Sequence, residues 1–293
     1  MPTRVFYHHP DDKQFSLDFV TPDIEVVGER AVNYESDVSL KVEAYELDRT
    51  VYVVYTARGA DGAADAIEYD LVEDIDPMKP VNSIIATRLV DLYRNILEEN
   101  YEQEGQRVQA YKDIVVEDIG RALDQVDWNG TATDVAGRLV SNLILKHSLP
   151  NANHRTSIGM AQFYLRRIEP EFSMPKTARL RDGEDEYDWM EWVNDYIRQS
   201  KRLLTVRRKG DRFRYLAEFG CDVVERKHGI EIRLDDYELD VPPSERWKRY
   251  AEEHEALWIQ FIEDAVCRTD TDALLDRESL SKHEFADELK ELE

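Results

Sequence analysis

The hydrophobic period of this chain changes once, from two to between three and four, and the change falls at residues 73–80. Upstream, residues 38–44 alternate apolar and polar side chains, and residues 50–55 are rich in β-branched and aromatic types. Both are marks of half-buried strands. Shorter strands are expected at 4–7, 15–20, 24–27 and 66–72, with a Gly59–Gly62 loop before the last. Downstream, residues 81–99 place Ile84, Ile85, Leu89, Leu92, Ile96 and Leu97 on one side of a helix. Further helices are expected at 114–126, 134–147, 153–168, 189–204 and 244–266. Residues 205–243 read as mixed, with a strand or hairpin edge at 229–237, and the last 25 residues end in a short helix. The expected fold class is α+β. A small antiparallel β domain covers 1–76, an all-α helical domain 77–205, and a mainly helical extension 206–293.

Composition narrows the partners. The 293 residues hold 62 Asp and Glu against 38 Lys and Arg, a net charge of −24. A surface so acidic cannot as a whole bind nucleic acid. Acid-rich chains suit a salt-loaded cytoplasm, where high ionic strength screens self-repulsion, so a halophilic source is expected. No run of about 18 apolar residues would span a membrane, and the first fifteen residues hold no apolar signal core. A cytoplasmic protein without a membrane partner is expected. Cys221 and Cys267 make no disulfide framework and no metal spacing, and are expected as buried free thiols.

The charge is uneven. Between 141 and 181 stand Lys146, Arg155, Arg166, Arg167, Lys176, Arg179 and Arg181 against Glu169 and Glu171. Residues 198–214 carry eight basic residues and one acid, with Phe213 nearby, a stretch where a nucleic-acid contact is conceivable. The chemistry-bearing stretch lies in the first of these islands: His147-Ser148-Leu149-Pro150-Asn151-Ala152-Asn153-His154-Arg155-Thr156. A helix ends at a histidine, a short loop follows, and a new helix opens with Asn and Arg in its first turn. The free N–H groups and positive end of a helix start favour phosphate oxygens. Arg155 adds charge, and an imidazole at the rim can take a proton from a hydroxyl. Other constellations are weaker. His8 and His9 read as strand-end surface residues, His147 with His154 lacks further metal ligands, and no nucleophile elbow is present. The face of Trp247, Tyr250, His254, Leu257, Trp258 and Phe261 reads as core or interface.

The stretch resembles the Fic/Doc signature, His-x-Phe-x-(Asp/Glu)-(Gly/Ala)-Asn-(Gly/Lys)-Arg, and is closest to the Doc, or death-on-curing, branch through Ala152-Asn153-His154-Arg155-Thr156. Ile158 stands where the Fic branch has a second arginine. The resemblance covers residues 80–204. It implies a helical Fic/Doc-like domain and transfer of a phosphoryl or adenylyl group from ATP to a Ser, Thr or Tyr hydroxyl of a target protein. His147 would be the base. Residues 151–156, with Asn153 and Arg155 foremost, would hold the nucleotide. A toxin paired with an antitoxin, or a regulatory modifier, is the implied role.

Three positions depart from the signature. Asn151 replaces the acid that would hold Mg²⁺, and a neutral amide is a poorer ligand for a hard dication. Leu149 replaces Phe, and His154 replaces Gly or Lys. The alternative implied by Asn151 is a catalytically impaired pseudoenzyme that binds protein or nucleic acid. Some members are restrained by a Ser/Thr-x-x-x-Glu-(Gly/Asn) segment whose glutamate pairs with the motif arginine. Only Thr21–Val26 approaches that pattern, and it lacks the last residue, so no such restraint is expected.

Overall fold

The computed structural model describes residues 2–35, 38–58, 75, 78–105, 114–179 and 188–291. It is an α+β structure. The strands are β1 (Arg4–Phe6), β2 (Ser16–Thr21), β3 (Val38–Glu46), β4 (Thr50–Arg58), β5 (Ala178–Arg179), β6 (Asp188–Trp189), β7 (Val223–Arg226) and β8 (Ile230–Arg233). The helices are α1 (Ile24–Ala31), α2 (Pro80–Glu104), α3 (Val116–Gln125), α4 (Ala132–Lys146), α5 (Asn153–Ile168), α6 (Glu191–Glu218), α7 (Pro243–Cys267) and α8 (Lys282–Lys290). The Gly59–Gly62 loop and the strand expected at 66–72 lie outside the described residues, as does most of the 73–80 boundary.

The chain divides into two units that each use two stretches of sequence. Unit 1 is Met1–Gly59 with Arg198–Glu252, and unit 2 is Ala60–Ile197 with Glu253–Glu293. This replaces the three-part division expected from the sequence. The cause is strand pairing across most of the chain. In unit 1, β1 runs parallel to β7, Val5 opposite Val224, and β7 runs antiparallel to β8. The other sheet of unit 1, ordered β2-β4-β3, is antiparallel and puts Leu17, Val51, Val53 and Tyr55 in its core. The expected strand at 24–27 is instead the start of α1. Asp23 accepts from Glu25 N at 2.8 Å, a side-chain cap that outweighs the β-branched Ile-Glu-Val-Val run.

Unit 2 is helical. Its core includes Ile85, Leu89, Tyr93, Ile119, Leu123, Leu139, Leu143, Met160 and Tyr164, all buried. Each such side chain contributes roughly 1.5–3 kcal/mol through burial. Asp124 of α3 ties three helices: it accepts from Lys79 at 2.8 Å, Asn82 at 3.1 Å and Lys282 at 2.7 Å. Lys282 first, then Lys79 and Asn82, hold its carboxyl well below the usual carboxylate range. A group with a depressed folded pKa stabilises above its unfolded pKa and loses that contribution as pH falls through the folded one. Asp124→Asn is therefore expected to lower stability at neutral pH and to flatten its decline below about pH 4. The size is under about 1 kcal/mol, since the carboxylate is partly exposed. Urea unfolding of both proteins at neutral and acid pH measures it.

Candidate functional site

The site begins with the helix that delivers His147. Thr131 and Asp134 form a reciprocal capping box at the start of α4, at 3.2 and 3.0 Å. The helix ends when His147 enters the left-handed region, φ 52° and ψ 46°, with its N–H on Leu143 O at 3.2 Å. Ala152, before α5, is also left-handed at φ 51°. Both ends of the loop thus use a conformation that costs an L-residue about 1 kcal/mol and that glycine adopts freely. Ala152→Gly is expected to raise stability by up to about 1 kcal/mol, read as a higher urea midpoint.

Between these points the loop is held from inside. Leu149 and Pro150 are buried, and Ser148 O accepts from Val115 N at 3.0 Å. The Asn153 amide closes the loop on itself: its Oδ1 accepts from Leu149 N at 3.1 Å, and its Nδ2 donates to Leu149 O at 2.9 Å and Asn151 O at 3.3 Å. Asn153 is therefore a loop clamp, where the sequence reading made it a phosphate ligand. Asn151 is buried, and its Oδ1 accepts from the buried Tyr93 hydroxyl at 2.9 Å. A neutral, buried amide whose oxygen already accepts one hydrogen bond is a poor ligand for Mg²⁺.

Arg155 lies in the first turn of α5, which has no side-chain cap. Its guanidinium is held by α2: Nη2 donates to Glu99 Oε2 at 2.8 Å and Nη1 to the buried Asn100 Oδ1 at 2.8 Å. A glutamate thus does pair with Arg155, although the sequence offered no segment of the expected pattern for it. Glu99 and Asn100 were missed because Asn95-Ile96-Leu97-Glu98-Glu99-Asn100 carries Asn where the pattern calls for Ser or Thr. Its Glu-Asn ending was the available signal. The Thr156 N–H bonds Ala152 O at 2.9 Å, while its buried Oγ1 meets no partner. The His154 ring lies 5.8 Å from that of Trp258.

Part of the first basic island lies away from the loop. Arg166 stands eleven positions after Arg155, about 16 Å along α5. Arg167 faces Glu288 at 4.0 Å, and Arg181 lies outside the described residues. Of the two histidines read as surface residues, His9 is not one. His9 is buried, and its Nδ1 accepts from Asp11 N at 3.2 Å. Its proton therefore sits on Nε2, 2.9 Å from Glu43 Oε1. His9, Asp11 and Glu43 converge within 4.8 Å, yet this tautomer makes a hydrogen bond where a metal would need a lone pair.

In unit 2 the fully buried His254 accepts from Trp258 Nε1 at 3.1 Å through Nε2. The proton left on Nδ1 points to Ser141 Oγ at 2.8 Å, so His254 is no base for that serine. Trp258 and Phe261 are core, as expected, whereas Trp247 is exposed. Cys221 is buried, but Cys267 is exposed, because α7 turns it outward at its last residue. No helix among the described residues is long and apolar enough to cross a membrane.

A family model described as a family of unknown function (DUF8172) matches residues 1–293. No curated protein and no solved structure matches the chain. The loop with its Asn153 clamp and its Glu99–Arg155 pair is thus a site within the DUF8172 family, to which this chain belongs.

Proposed function

We propose that the chain is a Fic/Doc-like transferase that moves a phosphoryl or adenylyl group from ATP to a hydroxyl of a target protein, and that Glu99 restrains it. The observation that supports this is the Glu99–Arg155 pair. The residue assigned to nucleotide phosphates by sequence resemblance is occupied by a carboxylate from another helix. A carboxylate on a guanidinium is the protein's own stand-in for a phosphate oxygen. The pair is half-exposed, and such pairs are worth about 0–1 kcal/mol, so a polyphosphate can displace it.

The chain's own residues then have separable roles. Asn153 keeps the loop closed, Arg155 and the uncapped start of α5 attract the anion, and His147 accepts the proton of the attacking hydroxyl. ATP, when bound, would supply the transferred group. Asn151 serves the Tyr93 bond and, as a neutral amide, is a poor ligand for Mg²⁺.

A second reading, a binding pseudoenzyme, is favoured by the Tyr93–Asn151 bond, which uses the position of the family's acid for structure. One experiment separates them. The protein is incubated in high salt with Mg²⁺ or Mn²⁺, a cell extract, and ATP labelled at the α or the γ phosphate. Transfer predicts a labelled protein band from one of the two labels, lost in His147→Ala. Absence of label from wild type and from Glu99→Ala alike would sink the transferase.

A further inference from the structure

β3 runs nine residues and pairs with β4 along its whole length without a break in register. The sheet order β2-β4-β3 ends there. Among the described residues, no group bonds the outward backbone N–H and C=O of residues 39–46. The opposite edge of the sheet is different. Leu17 N donates to Tyr7 O at 2.7 Å and His8 bridges Ser16, so residues 7–8 cover the start of β2.

A free edge is a template for another strand, and proteins blunt it with proline, a bulge or a short strand. β3 has none of these. Residues 38–46 hold no proline or glycine, and the register shift of the sheet falls in β2. Lys41 and Glu43 lie opposite Tyr55 and Val53 of β4, on one face of the sheet. They are held there by Asp12 at 2.8 Å and His9 at 2.9 Å. Val42, on the other face, is 42% exposed.

We propose that β3 pairs antiparallel with β3 of a second copy of this chain, centred on Val42, so that two three-stranded sheets join into one. The strand is complementary to itself in that register. Val42 meets Val42, Leu40 meets Ala44, Ser39 meets Tyr45, and Lys41 meets Glu43 on each side of the two-fold axis. All nine residues find a partner. Lys41 spends one of its three N–H donors on Asp12, and Glu43 one of its two oxygens on His9, so both can also bond across the axis. The neighbouring registers that keep the faces matched are worse. Centred on 41, Lys41 opposes Lys41 and residues 45–46 lose their partners; centred on 43, Glu43 opposes Glu43 and residues 38–39 lose theirs. A slip by one residue turns every side chain to the other face. A second copy brings this match with it, whereas a foreign strand would need it by chance. The outer edges of the joined sheet are then the β2 strands, whose starts residues 7–8 cover.

The test is sedimentation equilibrium of the full chain in moderate salt, which screens the net charge of −24 on each copy. Wild type is expected as a concentration-dependent dimer. Val42→Lys and Val42→Glu each set like charges face to face at the two-fold axis and should each weaken the dimer at least about tenfold. Val42 is exposed, so both variants keep the fold, which circular dichroism checks. An equimolar mixture of the two should dimerise again, because a lysine then faces a glutamate. Wild type that stays monomeric at the highest attainable concentration would overturn the pairing and leave the edge to a strand of another protein. So would Val42→Lys that dimerises as well as wild type. A mixture that associates no more tightly than its components would overturn the register centred on Val42.

Discussion

Glu99→Ala is expected to raise label transfer from ATP up to about fivefold over wild type. The substitution removes the carboxylate at 2.8 Å from Arg155 Nη2 and leaves the Asn100 contact in place. At this exposure the pair is worth about 0–1 kcal/mol net. Each 1.4 kcal/mol is tenfold in affinity. The stability cost should stay below about 1 kcal/mol, because Glu99 is largely exposed. Glu99→Gln should fall between the two, since it keeps an acceptor without charge. A gain in Glu99→Ala that survived Arg155→Ala would show that the pair is not the restraint.

Gly137→Ala carries the largest expected stability effect, a loss of about 3 kcal/mol by urea unfolding. A Cβ at Gly137 would stand 2.5 Å from Ile259 Cα and 2.6 Å from its N, so α4 and α7 meet backbone to backbone in unit 2. Backbone cannot yield as a side chain can, and overpacking of this kind costs 1–3 kcal/mol or more. The consequence reaches the site, because α4 ends at His147 and shares with α7 the buried Ser141–His254 bond. A loss below about 0.5 kcal/mol would mean that the two helices are farther apart than described.

Local signals carried much of this structure. The helix expected at 153–168 is α5 to the residue, and β2, β3, β4 and α7 lie where their periods placed them. Local pattern gave no access to the β1–β7 pairing, which joins Arg4 to Val223 and makes unit 1 discontinuous. The same reason hid the partners of the loop. Tyr93, Glu99 and Asn100 come from α2, and only tertiary packing sets them against residues 151 and 155. The charge islands misled in one respect. Net charge along the chain says nothing of direction, and α5 carries Arg166 away from Arg155.

The most direct measurement is a calorimetric ATP titration of wild type, Glu99→Ala, Arg155→Ala and the double variant, in high salt. The account predicts weak binding to wild type, binding up to about fivefold tighter to Glu99→Ala, and loss of that gain in the double variant. ATP that bound all four proteins alike, or Glu99→Ala that bound no ATP, would contradict it.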